Sequence, residues 1–279
     1  MKAAQERWSA PLAAAEAAEF LPFVAELVAA AEACILPLYL SGTTVDTKAD
    51  ASPVTAADRG AEAAMRGLIE SRYPEHGILG EEFGTRDTTA RPPRYRWVLD
   101  PVDGTRAFIT HCFLFGTLIA LERDDGAGYR PVLGVIAHPV AGLRLIGHSG
   151  QTQLVARDGS VRTVRVRSCN ELAQATLLAS THWTQPEQRH APGMAALAAG
   201  VRLYRTWGDC FGYFALATGG ADVMVDPQLG YWDIAALVPV IEGAGGRISS
   251  LSGGNPLIEL SAVATAGPLH EQVLAVLCG

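Results

Sequence analysis

The feature that most constrains this fold is a series of apolar segments in the first half of the chain. RWVLD, FLFGTLIALE, PVLGVIAHPV and GLRLIGHS follow one another between Arg96 and Ser149. Each is the length of a strand, and turn-rich stretches such as DDGAG separate them. Short spacings of this kind favour antiparallel pairing. Gln151 to Val166 adds a hairpin around Asp158-Gly159. The chain therefore needs at least one antiparallel sheet, and its other segments must cover that sheet.

Helical patterns flank the meander. Phe20, Phe23, Val24, Leu27, Val28, Ala31, Ile35 and Leu38 give residues 17–40 one apolar face at helical spacing. A polar loop, DTKADASP, runs from Asp46 to Pro53. Thr55-Ala-Ala-Asp58 then opens a second helix that ends near Tyr73-Pro74. The second half alternates. TLLAS reads as a strand, Glu187–Ala199 as a helix, Val201–Tyr204 as a strand and Cys210–Thr218 as a helix. ADVMVD is a strand, Tyr231–Glu242 a helix, GGRIS and AVATA strands, and Leu269–Leu277 the last helix. This predicts an α+β half with an antiparallel sheet over 1–155 and an α/β half with a mixed sheet over 156–279, in alternating layers.

Composition removes several function classes. Hydrophobic residues make up 49% of the 279 and charged residues 18%, which is globular and not disordered. The net charge of −7, without a basic run, argues against a nucleic-acid partner. An anionic ligand would need neutralisation by something other than surface lysines, and a metal cluster would do it. Cys34, Cys112, Cys169, Cys210 and Cys278 are scattered and odd in number, unlike a disulfide framework or zinc knuckle. The N-terminus lacks a secretory pattern, and the longest apolar tract holds Glu32 and Pro37 and is too short for a bilayer. A soluble cytoplasmic protein with no membrane partner is expected.

The chemistry concentrates in WVLDPVDGTRAF, Trp97 to Phe108. Asp100 and Asp103 could merely shape a turn, since Pro and Asp-Gly both favour one. They could also face a common point and share hard cations, which prefer oxygen ligands. ILGEEFG sets Glu81 and Glu82 after an apolar pair; the plain alternative is a solvated turn. Asp58 matches a capping box with Thr55. Asp233, after Trp232, suits a helix N-terminus. Thr105 could be only a turn hydroxyl. Yet Glu81, Asp100, Asp103 and Asp233 all stand where an apolar element meets a turn or helix start, the places from which side chains converge.

Gly-Glu-Glu, Asp-Pro-Val-Asp-Gly-Thr and Trp-Asp-Ile-Ala-Ala, in this order, resemble the inositol monophosphatase family of metal-dependent, lithium-sensitive phosphatases. The resemblance runs from about Ala17 to the end. It implies a layered αβαβα sandwich, a small phosphate ester as substrate, two or three Mg²⁺ ions per site and a homodimer. By position it makes Glu81, Asp100, Asp103, Asp233 and the Val102 carbonyl metal ligands. Asp58 and Thr105 match the pair that activates a water, with Glu81 at the same catalytic centre. Gly104 and Thr105 match backbone phosphate contacts, and Lys48 lies near a loop lysine of the family.

Phe108-Ile109-Thr110, Phe115-Gly116-Thr117-Leu118-Ile119 and the region around Gly208-Asp209-Cys210 are similar to the histidinol-phosphatase branch. That implies hydrolysis of L-histidinol phosphate in histidine biosynthesis. One departure stands at His111-Cys112-Phe113, where that branch usually has Gly-x-Pro. A substrate with an ammonium and an imidazole would favour acids on its alcohol side, and Asp209 and Asp226 are the candidates. Their plain alternatives are a helix N-cap and a strand-end turn. An inositol-1-monophosphatase or a 3′(2′),5′-bisphosphate nucleotidase is the enzymatic alternative, and a non-catalytic scaffold on the same fold the other.

Overall fold

The computed structural model describes residues 7–41, 44–47, 53–182 and 190–279. Lys48, the centre of the DTKADASP loop and the expected helix start at Glu187 lie outside the described residues. The chain begins with α1 (Ala14–Ile35), β1 (Val45–Thr47), β2 (Pro53–Thr55) and α2 (Ala56–Arg72). The meander follows as β3 (Gly77–Gly80), β4 (Gly84–Arg86), β5 (Arg94–Asp103), α3 (Thr105–Ile109), β6 (Gly116–Asp124), β7 (Tyr129–His138), β8 (Leu143–His148), β9 (Gln151–Ala156) and β10 (Val161–Thr163). The rest is β11 (Thr176–Ala179), α4 (Ala191–Gly200), β12 (Leu203–Arg205), α5 (Asp209–Ala217), β13 (Val223–Asp226), α6 (Tyr231–Gly243), β14 (Gly246–Ser249), α7 (Pro256–Glu259), β15 (Ala262–Ala266) and α8 (His270–Cys278).

An eight-stranded sheet has the order β10-β9-β8-β7-β6-β5-β3-β4, and a five-stranded sheet the order β12-β11-β13-β15-β14. Large-sheet pairings are antiparallel except that β3 runs parallel to β5. The parallel pair arises because β4 turns back at the sheet edge before β5 returns in the direction of β3. The small sheet is mixed: β11 is parallel to β12 and β13, while β15 is antiparallel to β13 and β14.

Alternation along the strands sorts side chains into separate layers. Trp97, Leu99, Ile119 and Leu121 face α1 and α2, where Phe20, Phe23, Leu27, Met65 and Ile69 complete one core. Val98, Leu118, Ala120 and Ile136 face the other way, onto α5 and α6, with Met224, Ile248 and Ala264 of the small sheet closing that second core. The far face of the small sheet, with Leu177, Val223 and Val263, is covered by α4 and α8. The layers are therefore helix, sheet, helix, sheet, helix.

The middle layer fixes one end of the site. Ten residues of α6, Ile234 to Gly243, are buried, as expected of a helix between two sheets. Gly134 and Gly147 lie side by side on β7 and β8. A Cβ on Gly134 would sit 2.1 Å from the Ala236 carbonyl oxygen, and one on Gly147 2.4 Å from the Val240 Cα. The two glycines form the groove that admits the α6 backbone. At the N-terminal end of α6 the Tyr231 hydroxyl donates to the fully buried Glu122, which also accepts two bonds from Arg96 at 2.8 and 2.6 Å. A helix seated on its backbone and held at its first residue presents Asp233 from a rigid base.

Candidate metal centre

Asp100 and Asp103 both belong to β5 and not to the turn that the sequence suggests. Their register explains how two acids three apart share a face. Asp100 pairs with Leu118 and Asp103 with Gly116, so three steps on β5 match two on β6. This is a β-bulge, and its extra residue cancels the parity change that would otherwise send Asp103 to the opposite side. Pro101 suits the bulge because it has no N–H to leave unpaired. Its carbonyl accepts the Thr117 hydroxyl at 2.7 Å. The turn comes one residue later, at Gly104, whose φ of 81° is left-handed.

Both acids thus point toward the N-terminus of α6. One carboxylate oxygen each from Asp100, Asp103 and Asp233 lies within 4.8 Å of the others, with Asp100 buried and the other two half-buried. Glu81 follows directly on β3, its N–H bonded to the Leu99 carbonyl at 3.1 Å, one residue from Asp100 on the neighbouring strand. Local bonds hold each acid. The Val102 N–H donates to Asp100 at 3.1 Å, the Cys210 N–H to Asp103, and the Gly230 N–H to Asp233 at 2.7 Å.

Crowded acids resist ionising together. Desolvation, then Glu81, Asp103 and Asp233, raises Asp100 well above the usual carboxylate range. Asp103 is pushed up to about 7 by desolvation and Asp233, against the Cys210 bonds. Asp233 reaches about 7 by desolvation and Glu81, against the Gly230 bond. A hard divalent cation fits this donor set. It takes oxygen ligands, and its charge relieves the repulsion that holds protons on the acids.

Asp58 unites both of its sequence readings. Its Oδ2 accepts the Thr55 N–H at 2.8 Å and the Thr55 hydroxyl at 2.6 Å, closing the capping box at the start of α2. Its Oδ1 lies 3.2 Å from the Thr105 hydroxyl. That hydroxyl is also 3.1 Å from the Val102 carbonyl oxygen. Desolvation raises Asp58, and the Thr55 bonds oppose the rise. A poised acid next to a hydroxyl is what a general base needs.

On the other side of the cluster, Asp209 begins α5 on left-handed backbone, φ 49°. It is not a simple N-cap: its N–H donates to the Ser180 hydroxyl at 2.8 Å. Its carboxylate lies over Gly104, where a Cβ would come within 2.9 Å of Oδ2. Desolvation and Asp103 push Asp209 up to about 8, and Arg106 pulls it down. Asp226 is deeper, 2% exposed, with both oxygens taken by the Ser180 N–H at 3.2 Å and the Tyr213 hydroxyl at 2.9 Å. His111, at the expected Gly-x-Pro position, keeps a left-handed φ of 60°, and its carbonyl accepts the Tyr39 hydroxyl at 2.8 Å.

Ser180, Tyr213, Arg96 and Glu122 escaped the sequence reading because no motif distinguishes them. Glu62 left a faint trace in its spacing to Arg66, four residues on.

The family model for the inositol monophosphatase family matches residues 16–278. A histidinol-phosphatase of Mycobacterium tuberculosis is 38% identical over 234 residues, 82% of this chain and 86% of that protein. A bifunctional phosphatase of Arabidopsis thaliana, IMPL2, chloroplastic, is 42% identical over 239 residues, 81% of this chain and 66% of that longer protein. Among solved structures, an inositol monophosphatase from Zymomonas mobilis superposes with a TM-score of 0.79 at 36% identity, covering 95% of this chain and 99% of that one. The fold recurs at 21% identity in the suhB protein of Bartonella henselae, with a TM-score of 0.78 and coverage of 93% and 98%. With the acid cluster in place, the chain belongs to the inositol monophosphatase family and is a metal-dependent phosphomonoesterase.

Proposed function

We propose that this enzyme hydrolyses L-histidinol phosphate to L-histidinol and phosphate with Mg²⁺, two or three ions per site. The observation that carries the substrate choice is Asp209, a fifth acid at the rim of the cluster, seated over Gly104. A neutral polyol gains only ordinary hydrogen bonds from such a group. An ammonium draws it into the ionised form and gains a charge-assisted bond, about 1.5–3 kcal/mol. Asp226 contributes field more than contact, because its oxygens are already occupied. Histidinol-phosphatases among the relatives, at 33–38% identity, support the same choice.

Asp100, Asp103, Asp233, Glu81 and the Val102 carbonyl would hold the metal. When bound, Mg²⁺ supplies charge to the phosphoryl oxygens and lowers the pKa of a bound water. Thr105 can donate to Asp58 and still offer its oxygen to that water, and Asp58 can take the proton. Gly104 and Thr105 open α3, whose first-turn N–H groups have no partner within the helix and suit a phosphate oxygen. No helix among the described residues is long and apolar enough to cross a membrane. A role in histidine biosynthesis, a cytoplasmic location, lithium sensitivity and a homodimer complete the proposal, carried by the family resemblance alone.

A phosphate-release panel tests the substrate. Histidinol phosphate should give the highest kcat/KM among histidinol, inositol and glycerol phosphates and adenosine bisphosphate. Asp209→Asn should raise KM for histidinol phosphate about tenfold to a hundredfold, and less for glycerol phosphate. The Zymomonas mobilis likeness favours an inositol phosphate as the second reading. A higher kcat/KM on inositol phosphate would establish it.

A further inference from the structure

We propose that Glu62 is a positioning residue for Glu81, holding the loop of that acid from the same face of α2 that carries Asp58. The inference rests on the reading of the acid cluster as a divalent-metal site. Glu62 is fully buried. Its Oε2 accepts the Glu82 N–H at 2.8 Å, and its Oε1 accepts the Phe83 N–H at 3.1 Å and the Arg66 Nε–H at 2.7 Å. Arg66 also donates to the Gly84 carbonyl, and its guanidinium lies over the Phe83 ring, 5.9 Å from the centroid. The three residues after Glu81 are thus gripped through both N–H and C=O groups.

The chemistry requires a carboxylate. All three partners of Glu62 are donors, so an amide would turn its own NH₂ toward one of them. The carboxylate also occupies space that only a glycine leaves open, since a Cβ on Gly80 would sit 1.9 Å from Oε1. Spacing supplies the link to catalysis. Asp58, Glu62 and Arg66 recur every four residues, on one helix face at about 6 Å per step. Asp58 meets Thr105, while Glu62 meets the backbone beside Glu81. One rigid helix therefore sets where the water-activating pair stands relative to a metal ligand. Glu62 touches neither phosphate nor metal and acts only through the backbone of Glu82 and Phe83.

The test uses the full chain with Glu62→Gln, Gly80→Ala and the double variant. Three quantities are read: Mg²⁺ affinity by calorimetry, amide exchange at Glu82 and Phe83, and Tm. Each single variant should weaken Mg²⁺ binding about tenfold or more, the usual cost of losing a group behind a metal ligand. Protection of the two amides should fall with it. The double variant should be no worse than the weaker single, because both lesions remove one contact. Arg66→Gln gives the same direction with a smaller loss if Glu62→Gln does not fold. Lowered Tm and lost protection with Mg²⁺ affinity unchanged would overturn the proposal, leaving Glu62 as packing only. A wild-type chain that binds no divalent cation while keeping both amides protected would overturn the metal reading first, and this positioning with it.

Discussion

Asp58 holds the first turn of α2 with one oxygen and faces Thr105 with the other, so stability and rate are tied together at this residue. Asp58→Asn should therefore lose about 1 kcal/mol of stability, as a weakened cap does. It should also lose turnover. Thr105→Ala touches only the second role and should lower kcat by roughly 10² with little change in Tm. Melting curves and rates on the two variants check this; a slow Asp58→Asn with unchanged Tm would mean that the cap is dispensable. His111 gives a second prediction. Its left-handed backbone costs a non-glycine residue roughly 1–2 kcal/mol, offset in part by the greater freedom of glycine when unfolded. His111→Gly should raise the urea midpoint by the equivalent of about 0.5–1 kcal/mol, and a lowered midpoint would show that the imidazole makes a compensating contact.

At the scale of elements, two devices aim the acids: the bulge in β5 and the glycine groove under α6. Gly134→Ala tests the second. A methyl 2.1 Å from the Ala236 carbonyl must push α6 away from the sheet. The expected cost is about 1–3 kcal/mol of stability, with weaker Mg²⁺ activation because Asp233 moves with the helix. Intact activation in a destabilised variant would show that Asp233 is not positioned by this contact. The long periodic elements, α1, α2, β5 to β8 and α6, could be read from the sequence because burial imposes their apolar spacing. β3 and β4 could not, because Gly77, Gly80 and Gly84 leave only Ile78 and Leu79 as an apolar pair, too little to mark a strand. The bulge was hidden because Asp-Pro-Val-Asp has the composition of a turn. It stays in the strand because Thr117 satisfies the Pro101 carbonyl and the ladder resumes at Gly116. Every acid of the cluster was legible, since carboxylates at the ends of apolar segments need a reason. Ser180 and Tyr213 were not, since neither residue stands out until the fold brings it to Asp226.

For the whole molecule, pH sets two groups of side chains against each other. His76, His138 and His270 are buried and held near pKa 4, chiefly by desolvation. Their folded values lie below the unfolded one, so the unfolded chain binds more protons between about pH 4 and 6.5, and stability rises with pH across that window. His76 also takes the Trp97 Nε1–H on its Nδ1 at 3.2 Å, a bond that only a ring with Nδ1 unprotonated can accept. Asp103, Asp233 and Asp209 have the opposite sign. Their folded values, about 7, 7 and 8, lie above the unfolded one, so the metal-free fold binds more protons and loses stability as pH rises. Above pH 6.5 the histidine contribution no longer changes with pH, and the acids set the slope. The metal-free Tm should fall between pH 6.5 and 8, and saturating Mg²⁺ should abolish the fall. A metal-free Tm that rises over this range would contradict the crowding of the acids.

Phosphate release from L-histidinol phosphate, followed as Mg²⁺ is titrated into the wild type and Asp100→Asn, tests the metal-dependent hydrolysis directly. Asp100→Asn keeps the side-chain oxygen that accepts the Val102 N–H while removing one charge from the cluster. The wild type should show no turnover after chelation and saturable activation by Mg²⁺. The folded variant should show turnover reduced to background at every concentration. Wild-type turnover that survives chelation, or a variant as active as the wild type, would show that the acid cluster does not hold the catalytic metal.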